Sequence, residues 1–63
     1  LLSIPIAAEI ALKNKFTGIG LYQWGIHVDD RQNQLFWVNK NNKYYYYFTY
    51  QEALNVFKGF YKV

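Results

Sequence analysis

The chain has no cysteine and no methionine, and only one proline, one histidine and one arginine among its 63 residues. Without cysteine, neither a disulfide nor a thiolate metal site can stabilise the fold. One histidine and four acidic residues leave few groups for acid–base or nucleophilic chemistry. These shortages argue against an independent enzyme, and we expect no catalytic residues, no metal and no cofactor.

The chain also lacks a hydrophobic run long enough to cross a membrane. Residues 1–12 are largely apolar, but Glu9 interrupts them and the stretch is too short for a bilayer. No basic segment precedes it, as a signal peptide would require. We therefore expect a cytoplasmic protein without membrane contact. Because the sequence does not begin with Met, we expect that it is a piece trimmed from a longer protein.

Aromatic residues are abundant, with two Trp, seven Tyr and five Phe. A chain of this length forms one domain, over residues 1–63, and buries only about 60% of its unfolded surface. Each aromatic ring buries about 150 to 250 Å², so these rings must supply much of the core. The small net stability of such a domain also favours self-association, since small cores often need a partner.

Two helices are predicted, one at each end of the chain. The first covers residues 4–14, with Ser3 as its cap and Pro5 in its first turn. The second runs from residue 50 to about residue 60. Thr49 and Glu52 have the spacing of a capping box at its start. Its predicted core residues recur at helical spacing: Ala53, Leu54 and Phe57.

Three strands are predicted between the helices, at residues 21–28, 35–39 and 44–48. A polar turn at residues 29–33 joins the first two strands, and Asn41-Asn42 forms a tight hairpin turn between the last two. The fold class is therefore α+β, in the order α-β-β-β-α. We expect a three-stranded antiparallel sheet with both helices packed on one face.

The length of the Asn41-Asn42 turn predicts which residues of the last two strands pair. The cap at Thr49 predicts which of their side chains face the core. The register pairs Phe36 with Tyr47 and Val38 with Tyr45. If Phe48 faces the core beside the helix start, alternation sends one set of side chains inward. That inward set is Tyr44, Tyr46, Leu35 and Trp37, joined by Tyr22, Trp24, Ile26 and Val28 from the first strand.

The opposite face then carries apolar side chains that two helices on one side cannot cover. An exposed apolar patch of this kind marks an interaction site. We expect it to bind a protein partner, most simply a second copy related by a two-fold axis. The alternative is that the chain's own ends or a loop cover it. The expected partner-binding residues are Phe36, Val38, Tyr45 and Tyr47, with Leu21, Gln23 and His27 nearby.

Two motifs resemble known sites but are better explained by structure. His27, Asp29 and Asp30 form the one cluster similar to a catalytic or metal site, yet a metal would need a further ligand. We expect an ordinary strand histidine followed by a turn. Residues 18–20, Gly-Ile-Gly, lack the third glycine of a dinucleotide loop and precede a strand rather than a helix.

Nucleic-acid binding is the alternative function. The net charge is +3, and exposed aromatics can stack on bases at about 1 to 3 kcal/mol each. Lys40, Lys43 and Arg31 are the candidate phosphate contacts.

The α-β-β-β-α order is similar to that of double-stranded-RNA-binding domains. A sheet followed by a helix also resembles the three-stranded DNA-binding domains of some integrases. Both resemblances are of architecture alone, so they assign no binding residues. The second helix also begins without the basic cluster that double-stranded-RNA-binding domains use for phosphates, and a single arginine is meagre for base readout.

Overall fold

The computed structural model describes residues 3–61, which form two helices and a four-stranded mixed sheet. The elements follow in the order α1 (Ile4–Lys13), β1 (Gly18–Tyr22), β2 (Gly25–Asp29), β3 (Leu35–Lys40), β4 (Lys43–Tyr47) and α2 (Tyr50–Tyr61). The α+β class is confirmed. The sheet differs from the prediction, because it has a fourth strand and one parallel pair.

Helix α1 begins and ends with recognisable caps. The Ser3 hydroxyl accepts a hydrogen bond from the Ile6 amide at 3.2 Å, as predicted. At the other end, Lys15 has a φ of 67°, a left-handed conformation that usually belongs to glycine. The Lys15 amide donates to the Leu12 carbonyl and the Phe16 amide to the Ala11 carbonyl. This pattern is a Schellman motif, and it turns the chain sharply into the sheet.

Strands β1 and β2 form a hairpin where the sequence predicted one continuous strand. The turn lies at Gln23 and Trp24, and it pairs Tyr22 with Gly25 and Leu21 with Ile26. Neither turn residue is glycine, asparagine or proline, so the usual turn signals are missing. Residues 18–20, which were expected to precede a strand, belong to β1 themselves, and β1 is the additional strand of the sheet.

Strand β1 lies between β2 and β3, and it pairs parallel to β3. The loop from β2 to β3 therefore passes across the start of β1. Thr17 holds that loop in place: its amide donates to the Asp29 carbonyl at 3.1 Å, and its hydroxyl donates to the Arg31 carbonyl at 2.6 Å. The predicted antiparallel pairing of the segments now seen as β2 and β3 is wrong, because β1 separates them.

The β3–β4 hairpin has the predicted turn and register. Asn41 and Asn42 have φ values of 53° and 64°, which asparagine tolerates better than most residues. Lys40 pairs with Lys43 and Val38 with Tyr45.

Helix α2 begins at the predicted cap. The Glu52 amide donates to the Thr49 hydroxyl at 3.3 Å. The hydroxyl in turn donates to the Glu52 carboxylate at 3.0 Å, which replaces the bond to the Thr49 amide that a full capping box would have. Ala53, Leu54 and Phe57 are buried, as predicted.

One core lies between the sheet and the two helices, which pack on the same face. It combines small helix residues with aliphatic and aromatic strand residues: Ala8, Ala11, Ile19, Leu21, Phe36, Val38, Ala53 and Phe57. The Tyr50 hydroxyl of α2 donates to the Pro5 carbonyl of α1 at 3.2 Å, which ties the helices together. Among residues 3–61, no helix has the length and apolar character needed to cross a membrane.

Candidate interaction surface

The two faces of β3 and β4 are reversed relative to the prediction. Phe36 and Val38 were expected on the surface, but they are 2% and 0% exposed and pack in the core. The prediction assumed that Phe48 faces inward beside the helix start. The chain instead bends at Phe48 and Thr49, after β4 has ended, and Phe48 points into solvent. Because Phe48 does not face the core, the faces that the prediction derived from it for β3 and β4 are reversed.

The other expected patch residues divide between the two sides of the sheet. Leu21 is fully buried, and Tyr47 packs against the core. The Tyr45 ring lies 5.3 Å from the Phe60 ring of α2, on the helix side. These three residues lie on the helix side of the sheet and not in an uncovered patch, although Tyr45 is still 38% exposed. Gln23 and His27 are exposed, as predicted.

The sheet surface turned away from the helices, here called the open face, nevertheless carries many aromatic rings. It is formed by side chains from all four strands, from the β1–β2 turn and from the β2–β3 loop. Its side chains are Tyr22, Trp24, His27, Asp29, Arg31, Leu35, Trp37, Asn39, Tyr44 and Tyr46. Three of the rings are largely exposed: Tyr44 (51%), Tyr46 (60%) and Trp24 (78%).

The centre of the open face is low because β1 presents two glycines there. A side chain at Gly20 would collide with the indole of Trp37, which crosses from the neighbouring strand to occupy that space. A side chain at Gly18 would collide with Asp29 and Arg31 in the same way. The structural role of the Gly-Ile-Gly segment is therefore to leave room on β1, so that the side chains of Trp37, Asp29 and Arg31 can lie across it.

Trp37 is held in this position from several sides and is only 6% exposed. The Arg31 guanidinium carbon lies 4.7 Å from the ring centroid, a cation–π geometry. The indole nitrogen donates to the Tyr22 hydroxyl at 3.1 Å, and the His27 ring lies 5.5 Å away. The low centre of the open face is therefore rigidly packed, while the exposed rings surround it.

The charged groups of the open face neutralise one another. Arg31 donates to both carboxylate oxygens of Asp29, at 2.9 and 2.7 Å. His27 Nε2 lies 3.2 Å from Asp29 Oδ2. The hydrogen bonds from Arg31 hold the pKa of the Asp29 carboxyl well below its usual value and raise that of the guanidinium. The Arg31 guanidinium therefore already contacts the Asp29 carboxylate and the Trp37 ring.

The lysines lie elsewhere. Lys40 and Lys43 pair with each other and alternate with open-face residues, so they belong to the helix side. Lys40 Nζ lies 4.9 Å from the Phe60 ring centroid and donates to the Phe60 carbonyl at 3.4 Å. The remaining described lysines stand on or beside the helices: Lys13, Lys15 and Lys58. Sequence reasoning did not bring out this separation of lysines from aromatics.

No pocket forms within the described part of the chain, residues 3–61. Within the same residues, no group of three or more His, Asp or Glu side chains comes together. The rings also do not form one flat platform, because Tyr22 is tilted by 37° from Trp24 and by 75° from Tyr44.

No protein-family model, curated protein or solved structure matches this chain.

Sequence reasoning missed most of the open-face rings, yet one signal could have identified them. In β1 and β2 the aliphatic residues occupy alternate positions that face the helices, with Ile19, Leu21 and Ile26 among them. Glycine, aromatic and polar residues occupy the positions between them. Aliphatic side chains pack tightly against small helix residues such as Ala8 and Ala53, whereas Tyr and Trp carry a polar group that favours a partly wet surface.

Proposed function

We propose that this domain is a non-catalytic interaction module that binds a protein partner through the open face of its sheet. One observation carries the proposal: the large rings of Trp24, Tyr44 and Tyr46 stand exposed on one face of the sheet, where the charged groups are paired with each other. Contiguous apolar surface of this kind is uncommon in isolated proteins and marks binding sites. Aromatic residues are also the commonest energetic anchors of protein interfaces.

The separation of charge supports a protein rather than a nucleic acid as the partner. Nucleic-acid affinity depends on cations that reach phosphates beside the stacked bases. Here Lys40 and Lys43 lie on the opposite side of the sheet from the exposed rings. Arg31, which does lie on the open face, already bonds the Asp29 carboxylate through two nitrogens. Exposed aromatics without free cations suit a protein surface better.

Site-specific photo-crosslinking tests this function. A benzoylphenylalanine at position 46 replaces one exposed aromatic side chain with another and reacts with whatever lies against it. The matched control carries the same group at Ile6, which is 49% exposed on α1. Both proteins are irradiated as purified samples and in extracts of the cells that produce the chain.

We expect a discrete covalent adduct from position 46 that is absent from position 6. Adding Tyr44→Lys should abolish that adduct, because it places a charge beside position 46 on the same face of β4. If position 46 gives no adduct beyond those of position 6, in either sample, the proposed function is wrong. Cross-links to RNA or DNA instead of protein would establish the nucleic-acid alternative.

A further inference from the structure

We infer that β4 binds the β4 of a second copy of this chain, so that the two four-stranded sheets join edge to edge around a two-fold axis. This contact uses the free edge of the sheet, whereas the proposed function uses the open face. Three features of β4 point to it: its outward main-chain groups, the pairs that its side chains form, and its exposure.

The main chain of β4 has hydrogen-bonding groups directed away from the sheet. Within the described part of the chain, β4 is the last strand in the order β2-β1-β3-β4, so β3 is its one neighbour. Lys40 and Lys43 flank a two-residue turn and oppose each other, which makes them a hydrogen-bonded pair. Such pairs alternate along an antiparallel ladder, so Tyr45 also bonds to β3. The N–H and C=O groups of Tyr44 and Tyr46 therefore point to the free edge, where they can bond a further strand.

A two-fold axis at Tyr45 gives β4 a complete antiparallel pairing with its copy. Tyr44 of each chain then lies opposite Tyr46 of the other, and their outward groups form two hydrogen-bonded pairs. A shift of one residue would set outward groups against groups that already bond to β3. A shift of two residues would pair one of these tyrosines with a residue outside β4. The centred register is therefore the one that uses the whole strand.

The same register brings compatible side chains together. Directly opposed residues share a face, so Tyr44 and Tyr46 of the two chains meet on the open face, while the two Tyr45 rings meet on the helix side. Lys43 lies opposite Tyr47, so its ammonium group meets an aromatic ring and not the second lysine. Each chain has a net charge of +3, yet this pairing opposes no two like charges.

Strand β4 is also exposed and open to pairing, unlike the other edge strand. Its first four residues are exposed, so neither helix closes over this edge. Edge strands are usually protected by proline, bulges or several charges. Strand β4 contains no proline, pairs with β3 without a bulge, and has Lys43 as its single charge. Strand β2 instead begins with Gly25, which weakens a strand, and ends with the charged Asp29.

Disulfide trapping tests this contact, because the chain has no cysteine of its own. In Tyr45→Cys the two new thiols lie opposite each other at a non-hydrogen-bonded site, where Cα atoms are about 4.5 Å apart, within the range of a disulfide. The matched control, Ile6→Cys, places a similarly exposed thiol on α1. Both proteins are oxidised in glutathione buffer, and circular dichroism establishes that each keeps the fold.

We expect Tyr45→Cys to form the linked dimer at least about tenfold faster than Ile6→Cys, because its thiols are held together before they react. Equal rates in the two folded variants would overturn the inference. Tyr45 lies on the helix side, so a partner on the open face does not produce this result. If the pairing fails but position 46 cross-links to a different protein, the proposed function stands.

Two substitutions at position 46 test the main-chain bonds themselves. Proline removes the outward N–H but no bond to β3, a placement that edge strands tolerate. Valine keeps the N–H and favours a strand. Sedimentation equilibrium up to about 1 mM, where complexes with micromolar dissociation constants are populated, should show self-association of wild type and Tyr46→Val but not of Tyr46→Pro. A wild-type monomer, or equal association of folded Tyr46→Pro, would overturn the inference. If Tyr46→Pro unfolds, the two cysteine variants decide.

Discussion

The Trp37 indole fills the space that a side chain at Gly20 would occupy, and this relationship sets the height of the open face. The two residues are register partners on neighbouring parallel strands. Gly20 has an ordinary negative φ, so its role is to leave room and not to adopt an unusual backbone conformation. The large ring of Trp37 can then lie low while Tyr44 and Tyr46 project beside it.

Replacing Gly20 with alanine should therefore destabilise the fold. The new methyl group meets the rigidly packed indole, and overpacking of this kind costs about 1–3 kcal/mol. Gly25→Ala is the matched control, because nothing lies within 4 Å of its added Cβ. Urea unfolding measures both free energies. Equal stability of the two variants would contradict the placement of Trp37.

Replacing Lys15 with glycine should stabilise the protein. Lys15 holds a φ of 67° at the end of α1, where an ordinary side chain costs about 1–2 kcal/mol. Part of that gain is offset by the greater backbone freedom of glycine in the unfolded chain. We expect a net increase of about 0.5–1 kcal/mol in the free energy of unfolding.

Lys13→Gly provides the control for that prediction. Lys13 is the last residue of α1 itself, where glycine costs about 1 kcal/mol relative to a good helix former. Thermal melts of the two variants should therefore move in opposite directions. A destabilised Lys15→Gly protein would show that the Schellman turn is not formed.

Tyr50 should make stability sensitive to alkaline pH. Burial and the nearby Glu9 carboxylate raise the pKa of Tyr50 to about 12. Because the folded pKa exceeds the unfolded value of about 10, the unfolded chain loses this proton first. The stabilising contribution of Tyr50 is complete below about pH 10 and is lost as the pH rises towards 12.

The variant Tyr50→Phe isolates this effect. Chemical unfolding of wild type and variant from pH 9 to pH 12 should show a steeper loss of stability in wild type. The two proteins differ only in this hydroxyl group, so the difference between the curves reports Tyr50. Parallel curves would mean that the hydroxyl of Tyr50 is not held beside Pro5 and Glu9.

Arg31 should control the ionisation of Asp29. Its hydrogen bonds hold the pKa of the Asp29 carboxyl below the ordinary value of 3.8. The stability from this pair is therefore present above about pH 4 and is lost as the pH falls through the lowered pKa. In Arg31→Gln the midpoint of Asp29 should move upward, as followed by its carboxyl carbon resonance. An unchanged midpoint would exclude the ion pair in solution.

The same substitution should uncover Trp37. A Trp24→Phe background leaves Trp37 as the single tryptophan, and acrylamide quenching then reports its exposure. We expect stronger quenching in Arg31→Gln, because the guanidinium no longer covers the ring. Equal quenching would show that Arg31 does not cover it.

Local features of this fold were predictable from the sequence because neighbouring residues determine them. The Ser3 and Thr49 caps and the Asn41-Asn42 turn depend on short-range hydrogen bonds and on the φ preferences of the residues themselves. The register of the β3–β4 hairpin followed directly from the length of its turn. An uncovered aromatic face of the sheet was also predicted, although not the residues that form it.

The wrong predictions depended on relationships between distant parts of the chain. The turn at Gln23 and Trp24 carries no turn-specific residue, so β1 and β2 were read as one strand. The insertion of β1 between β2 and β3 depends on Thr17, which bonds residues from both flanking strands. The choice of face in β3 and β4 depended on Phe48 alone. Phe48 faces solvent and not the core, so the prediction turned the wrong face of both strands inward.

Chemical-shift mapping tests most directly whether the open face is the surface through which this chain binds its partner. Amide spectra of the labelled protein are recorded over a concentration series and in extracts of the cells that produce the chain. We predict shifts confined to the open face and β4, strongest at Trp24, Tyr44 and Tyr46, with α1 and α2 unaffected. Shifts centred on Ile6 and Ile10 of α1, or none in any sample, would contradict the account.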